Sequence, residues 1–462
     1  ATRPEGKIEL AHVADDRTRN YYFRIRSTVD PQALRPLLEP KEQHALDYIE
    51  LSAPPVVDAE IWGRWHERNL TRIKAQVAIT TNFSFRGEPA TGFHTALEYT
   101  NLFVQLTSPR LDRGAEFLSA STVGLDFNNR IVQVTNGFST TDPAVVTRAV
   151  GPKVAKVMEP YQFRQPPKVR VNGIFPMDNT AKADAHFDVD GGPFHWEKFN
   201  LSRLSGQAHW VGEHLSLEGV QAGFYQGKLT GLARFDFSPA NGTDFKFDAV
   251  VEDASLHFLI ADLFTPTNNL EGLLKGHLSV TNANTRDLHS WFGQGGVNLH
   301  DGFIWGIPVF GIFSPVLDSI VPGLGKSRAS EASAAFIITN GVVRSDDLQI
   351  TAPALRIQYK GTVDLDGGKV DARVTAAPLP NTLLVGPVAT VVLWPVSKLF
   401  EYKITGTLAR PKEEQMFFIS RLLLAPFQMP FHPFRTLKGL VSGGEPEIST
   451  STNSIAPLKP AP

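Results

Sequence analysis

The amino-acid sequence predicts a mainly β fold built as an antiparallel meander, and three observations carry that prediction. Apolar and polar residues alternate with period two from end to end, turn-forming residues punctuate the alternation, and helix signals are few and fall between strand groups. In Lys228 to Phe237, the residues Leu229, Ala233, Phe235 and Phe237 share one face while Lys228, Thr230, Arg234 and Asp236 share the other. Leu355, Ile357, Tyr359, Val363 and Leu365 oppose Arg356, Gln358, Lys360, Thr362 and Asp364 in the same way. Further strands read at Val77 to Phe85, Ala183 to Val189, Asp244 to Val251, Val297 to Phe303, Ala335 to Val342 and Lys369 to Thr375. Between them stand Asn128-Asn129, Gly191-Gly192, Asn241-Gly242, Asn340-Gly341 and Asp366-Gly367-Gly368, residues that tolerate the positive φ of tight hairpins.

Asp30-Pro31-Gln32-Ala33-Leu34 starts a helix, with Asp as N-cap and Pro at the first helical position, and Pro36 and Pro40 interrupt it. Asp142-Pro143-Ala144-Val145-Val146 starts another, 112 residues later (142 less 30). The pair Pro54-Pro55 returns as Pro166-Pro167 at the same offset, each leading into an alternating strand that reaches Gly63 or Gly173. Two markers at one offset predict an internal duplication.

The carboxy-terminal third changes character. Phe303 to Gly325 carries one charge, Asp318, and Pro378 to Ser397 carries none. Pro387 and Pro395 break the latter as a spanning helix. Met416 to Leu440 mixes Phe and Leu with Arg421, Arg435 and Lys438, as an interfacial helix does, and Ser442 to Pro462 has the composition of a disordered tail.

Composition narrows the function. The 45 Lys and Arg balance 47 Asp and Glu, a net charge of -2 that argues against a nucleic-acid partner. Zero cysteines exclude thiolate catalysis, Cys-ligated zinc and iron–sulfur clusters. No His-Glu-x-x-His, Gly-x-Ser-x-Gly or phosphate-binding Gly-x-x-x-x-Gly-Lys-Ser/Thr pattern occurs, so no catalytic residue, metal or cofactor is expected. The densest polar cluster, His186, Asp188, Asp190, His195 and Glu197, has two readings, a metal site or the lining of a solvated hairpin around Gly191-Gly192, and alternation on the strands favours the hairpin. Asp15-Asp16, Glu252-Asp253 and Asp346-Asp347 are neighbours in sequence, which a strand sends to opposite faces, and they read as turn residues. The chain opens Ala1-Thr2-Arg3-Pro4 without an initiator Met or an apolar leader, the expectation for a processed form or a piece of a longer protein.

At Leu270 to Leu365 a series of features becomes recognisable. Leu270-Glu271-Gly272-Leu273-Leu274-Lys275-Gly276 is followed by Gly295-Gly296-Val297-Asn298-Leu299-His300-Asp301-Gly302-Phe303-Ile304-Trp305-Gly306-Ile307-Pro308. Ala335 to Val342, Asp346-Asp347-Leu348-Gln349-Ile350 and Gly361-Thr362-Val363-Asp364-Leu365 complete it. This stretch resembles the carboxy-terminal region of the AsmA-like proteins of Gram-negative bacteria, relatives of TamB and more distantly of the repeating β-groove lipid-transfer proteins. It covers about 110 residues, Leu270 to Pro378. The resemblance implies an elongated, curved antiparallel sheet forming an open apolar groove, with a few short helices between strand groups. It implies a periplasmic, non-enzymatic protein that carries or shields phospholipid acyl chains in outer-membrane biogenesis, attached to the inner membrane through a segment absent from this chain.

On that reading the chain divides into a first β-repeat unit with short helices (1–165), a second unit (166–268), an AsmA-like β region with apolar helical insertions (269–412), and an amphipathic helix with a disordered tail (413–462). The groove lining is Phe83, Phe85, Phe187, Phe235, Phe237, Phe245, Phe247, Leu299, Phe336, Ile338, Leu355 and Ile357. Trp305, Phe310, Leu384, Trp394, Phe417 and Phe418 are candidate membrane contacts. Expected partners are phospholipids, the inner or outer membrane, and outer-membrane or periplasmic proteins. Without the resemblance, the same alternating faces read as an ordinary sandwich core. Two other functions stay open: an assembly factor that pairs a free strand edge with outer-membrane proteins, and a secreted carbohydrate-active sandwich. The second calls for tryptophans grouped on one exposed face, and only Trp62 and Trp65 are close in sequence.

Overall fold

The computed structural model describes residues 2–3, 6–37, 43–44, 46–177, 182–196, 198–263, 268–304, 326–353, 355–378 and 400–407. The candidate membrane contacts Trp305, Phe310, Leu384, Trp394, Phe417 and Phe418, and the expected amphipathic helix and tail, lie outside these residues. Described residues form one curved, antiparallel sheet of 25 strands and a small sheet of 3. The chain enters through β1 (Thr2–Arg3), β2 (Gly6–Asp15) and β3 (Asn20–Ser27), then leaves the main sheet for β4 (Ile49–Leu51). It returns in β5 (Val56–Arg64) and β6 (Glu67–Ile79), forms β7 (Phe83–Phe85) and β8 (Glu88–Ala90), and continues through β9 (Gly92–Thr100) and β10 (Phe103–Arg113). Next come β11 (Glu116–Ser119), β12 (Thr122–Asp126), β13 (Ile131–Ser139), β14 (Tyr161–Phe163), β15 (Lys168–Pro176), β16 (Asp184–Gly191) and β17 (Phe194–Trp196).

From β18 (Phe199–Val211) onward the meander is unbroken: β19 (His214–Phe224), β20 (Gly227–Asp236), β21 (Asp244–Ser255), β22 (Leu273–Asn284) and β23 (Asp287–Gly302). It ends with β24 (Ala329–Thr339), β25 (Val342–Thr351), β26 (Leu355–Asp364), β27 (Lys369–Pro378) and β28 (Phe400–Thr407). Each long strand pairs with the long strand before and after it, so the sheet grows in sequence order with no crossover. At the usual strand spacing its 21 long strands extend about 100 Å along the hydrogen-bonding direction. Asn340 and Gly341, at φ 51 and 72, close the two-residue hairpin from β24 to β25 in the conformation that Asn-Gly supplies without steric cost.

The duplication is present in the fold. β14 and β15 follow β4 and β5 at an offset of 112 residues, and β4 pairs with β7 as β14 pairs with β17. In both copies a helical connection precedes the short strand: a 3-10 helix at Pro31–Leu37, then α1 (Pro143–Val150) and α2 (Pro152–Met158). Asp142 caps α1 through its side chain, which accepts from the Ala144 N–H at 2.9 Å, and Pro143 stands at its start. A third copy follows where the sequence markers are lost: β21, α3 (Leu256–Leu263) and β22. β3, β13 and β21 stand six strands apart in the ladder and run the same way, so all three helical connections leave from one rim.

Three sequence expectations change in detail. The strand expected over Val77 to Phe85 stops at Ile79, and Phe83 and Phe85 belong to the small sheet. β16 and β17 do not form a hairpin around Gly191-Gly192: both strands pair with β18. Glu252-Asp253 and Asp346-Asp347 sit inside strands beside irregularities in register, not in turns.

Packing is uneven along the sheet. Trp291 in β23 is fully buried among Phe245, Val280, Ala283, Ile338 and Leu365. Leu10 on β2 is 55% exposed. Trp291→Ala should therefore destabilise the chain by about 3–5 kcal/mol, and Leu10→Ala should stay within about 0.5 kcal/mol of wild type, as measured by urea denaturation.

Candidate functional site: an apolar sheet face open at one end

Period-two alternation places every second side chain on the same face, and cross-strand register aligns those positions into rows. One row runs Leu10, Ile25, Ala59, Ala75, Leu97, Leu106, Val123 and Val134 from β2 to β13. It continues through Gly173, Ala185, Trp210, Leu215, Phe235 and Phe245 to Ala283 on β22. A parallel row carries Phe23, Ile61, Ile73, Tyr99, Val104, Leu125 and Val132 to Phe175 on β15. The opposite face is polar and alternates in sign: Arg24, Glu60, Lys74 and Glu98 are successive partners, and Lys74 Nζ lies 3.1 Å from Glu98.

The apolar face changes along the sheet. The four clusters of buried apolar side chains are built from residues 183 to 374. In β2 to β13 the row residues Ile25, Ile61, Ile73, Leu97, Leu106, Val123 and Val134 are only half-buried and none of them joins those clusters, while Ala59 in the same row is buried. From β20 to β28 apolar side chains of successive strands pack into these clusters, whereas the row residues of β2 to β13 do not. Gly295 contributes to the tight end, because a Cβ there would lie 2.5 Å from the Phe336 ring that packs over it.

Helix α3 marks the change. Leu256 and Ile260 join the cluster containing Leu299, Ile350, Ile357 and Val374, while Leu259 and Leu263 pack with Phe224, Tyr225 and Ala254. The helix is tied down by polar contacts at its end: Asn200 Nδ2 donates to Asp262 Oδ2 at 2.7 Å, and Lys198 Nζ donates to the Leu263 carbonyl at 3.1 Å. His195 Nδ1 lies 2.9 Å from Asn200 Oδ1, and the Asn200 N–H donates to the Tyr225 hydroxyl at 3.3 Å. Burial pushes the Tyr225 phenol well above its ordinary range, with the Asp262 carboxylate adding to the effect, so it stays neutral and serves as a structural hydroxyl.

The expected groove residues fall into three groups. Phe187, Phe235, Phe245, Phe247, Leu299, Phe336, Ile338 and Ile357 occupy the apolar face of the main sheet, and Phe237, just past β20, packs with Trp210. Leu355 opens β26, two positions before Ile357. Phe83 and Phe85 stand apart in the small sheet, beside Tyr48. Sequence reading did not single out the half-buried aliphatic row of β2 to β13. Its signal was present in the alternation of Leu70 to Ile79 and Gly92 to Thr100, but these residues are smaller than the phenylalanines that drew attention downstream.

The polar cluster is rearranged. Asp190 takes a two-oxygen contact from Arg203, His195 turns to Asn200, and Glu197 lies outside the described residues. His186 instead meets Asp184 and His209. Of the tryptophans, Trp210 and Trp291 are buried and Trp65 packs on Tyr21 and Phe23, so the described ones form no shared exposed face. No helix of the described residues is long and apolar enough to cross a membrane. Compared with known proteins, the chain matches no family model, no curated protein and no solved structure.

Ile260→Asp places an unpaired carboxylate under α3 and should cost about 3–5 kcal/mol. Hydrogen exchange should then accelerate in 256–263 and in β19 to β22 and stay unchanged in β2 to β10.

Proposed function

We propose that this chain is a non-enzymatic, AsmA-like periplasmic protein that shelters phospholipid acyl chains on the apolar face of its sheet, with β2 to β13 as the receiving trough. One observation supports this reading above the others: the aliphatic rows continue in register across the first half of the sheet, and most of their side chains are only half-buried and outside the packed clusters. A sandwich would bury that face against a second sheet. Acyl chains suit it because each methylene taken out of water contributes about 0.8 kcal/mol and needs no particular side-chain partner. The polar face and the trough mouth leave the headgroup in water. The mechanism is passive sliding along interchangeable aliphatic contacts, and α3 limits how far a chain passes toward the packed end.

A second reading rests on β28, which among the described residues is paired only with β27 and leaves an edge for strand addition by a partner protein. Substitutions separate the two: charges in the trough remove lipid binding and spare edge pairing, whereas Thr405→Pro on β28 does the reverse.

Native mass spectrometry of chain purified without detergent should find bound phospholipid. Ile61→Asp combined with Leu97→Asp should reduce it roughly tenfold or more, with the circular-dichroism spectrum unchanged. A lipid-free wild-type chain that captures a partner strand through β28 favours the second reading.

A further inference from the structure

We propose that Asp184, His186 and His209 form a site for one divalent transition-metal ion of the zinc class on the polar face of the sheet, remote in role from the apolar trough. Asp184 and His186 lie two residues apart on β16 and so share a face, and His209 stands directly opposite His186 on β18. This i, i+2 and cross-strand arrangement is a tripod fixed by backbone pairing, with no loop in it. The imidazoles stack with centroids 3.7 Å apart and planes at 14°, and both present Nε2 to the same carboxylate oxygen. His209 Nε2 is 3.1 Å and His186 Nε2 3.8 Å from Asp184 Oδ1, and the three ligand atoms lie within 4.8 Å of one another.

Ligands about 2 Å from a tetrahedral ion are about 3.3 Å apart, so these three atoms stand close to ligand spacing, and binding requires the two stacked imidazoles to turn apart until their in-plane lone pairs converge on the ion. Two imidazoles and one carboxylate suit zinc, nickel or copper rather than magnesium or calcium, and water can take the fourth position. The repeat provides an internal comparison. The corresponding place in the first copy, β6 against β9, holds Lys74 opposite Glu98, an ordinary cross-strand ion pair. The second copy holds a ligand set there instead. All three residues are exposed enough for an ion to enter from solvent.

The test uses untagged chain stripped with a chelator and titrated with zinc sulfate, by calorimetry and by competition with a chromogenic chelator. One equivalent should bind, excess magnesium should not displace it, and His186→Ala, His209→Ala and the near-isosteric Asp184→Asn should each weaken it roughly tenfold or more. His214→Ala, which removes an ordinary His–Asp236 pair at 3.5 Å, should bind as wild type does. Absence of saturable binding, or affinity unchanged in all three site variants, or equal loss in His214→Ala, overturns the site.

Discussion

Next-neighbour antiparallel pairing in a fixed register is the constraint on which the rest of this structure depends. Each long strand satisfies its backbone with the long strands before and after it, so the sheet can lengthen without a second layer. Register then decides what each face is, because a slip of one residue exchanges the two sides. Across β2 to β22 it keeps Leu10, Ile25, Leu97, Val134, Trp210 and Phe245 on one side and Arg24, Glu60, Lys74 and Glu98 on the other. Where register shifts, as between Ser345 and Leu348, a bulge restores the phase and the apolar row continues.

A sheet of this kind leaves its apolar face uncovered unless something covers it. The chain answers differently at its two ends. From β20 onward large side chains pack into buried clusters, Phe245, Trp291 and Ile338 in one and Ile350 with Ile357 in another, and α3 adds Leu256, Leu259, Ile260 and Leu263. In β2 to β13 the row is mostly aliphatic, the 3-10 helix is tied to the segment before β4 through Arg35 and Asp47, and the face remains half-buried. Arg148 with Glu88, and Arg86 with the carbonyls of Ala149 and Val150, hold α1 against the small sheet. The same strand-helix-strand unit thus serves as a rim ornament in one copy and as a cover in another.

Much of this was legible in the sequence. Alternation located the main strands because half-burial imposes period two directly, and Asp30-Pro31 with Asp142-Pro143 marked two of the three helical connections. The third was invisible, since Ser255-Leu256 carries no cap-and-proline signature and α3 is held by tertiary contacts. Pairing partners were also beyond local reading. That β16 skips β17 to join β18, which brings His209 to His186, depends on register. Likewise Phe83 and Phe85 follow the alternation of β6, yet the break after Ile79 moves them to another sheet. The difference between a packed and a half-buried stretch of one apolar face lies in which side chains pack together across strands, and the period does not reveal that.

The central claim is that the apolar face of β2 to β13 meets acyl chains. Photo-crosslinking amino acids placed one at a time at Ile73 and Leu97, and at their neighbours Lys74 and Glu98 on the opposite face, test it most directly in cells making the protein. The account predicts phospholipid adducts from Ile73 and Leu97 and none from Lys74 and Glu98. Adducts from both faces alike, or from neither, would contradict it.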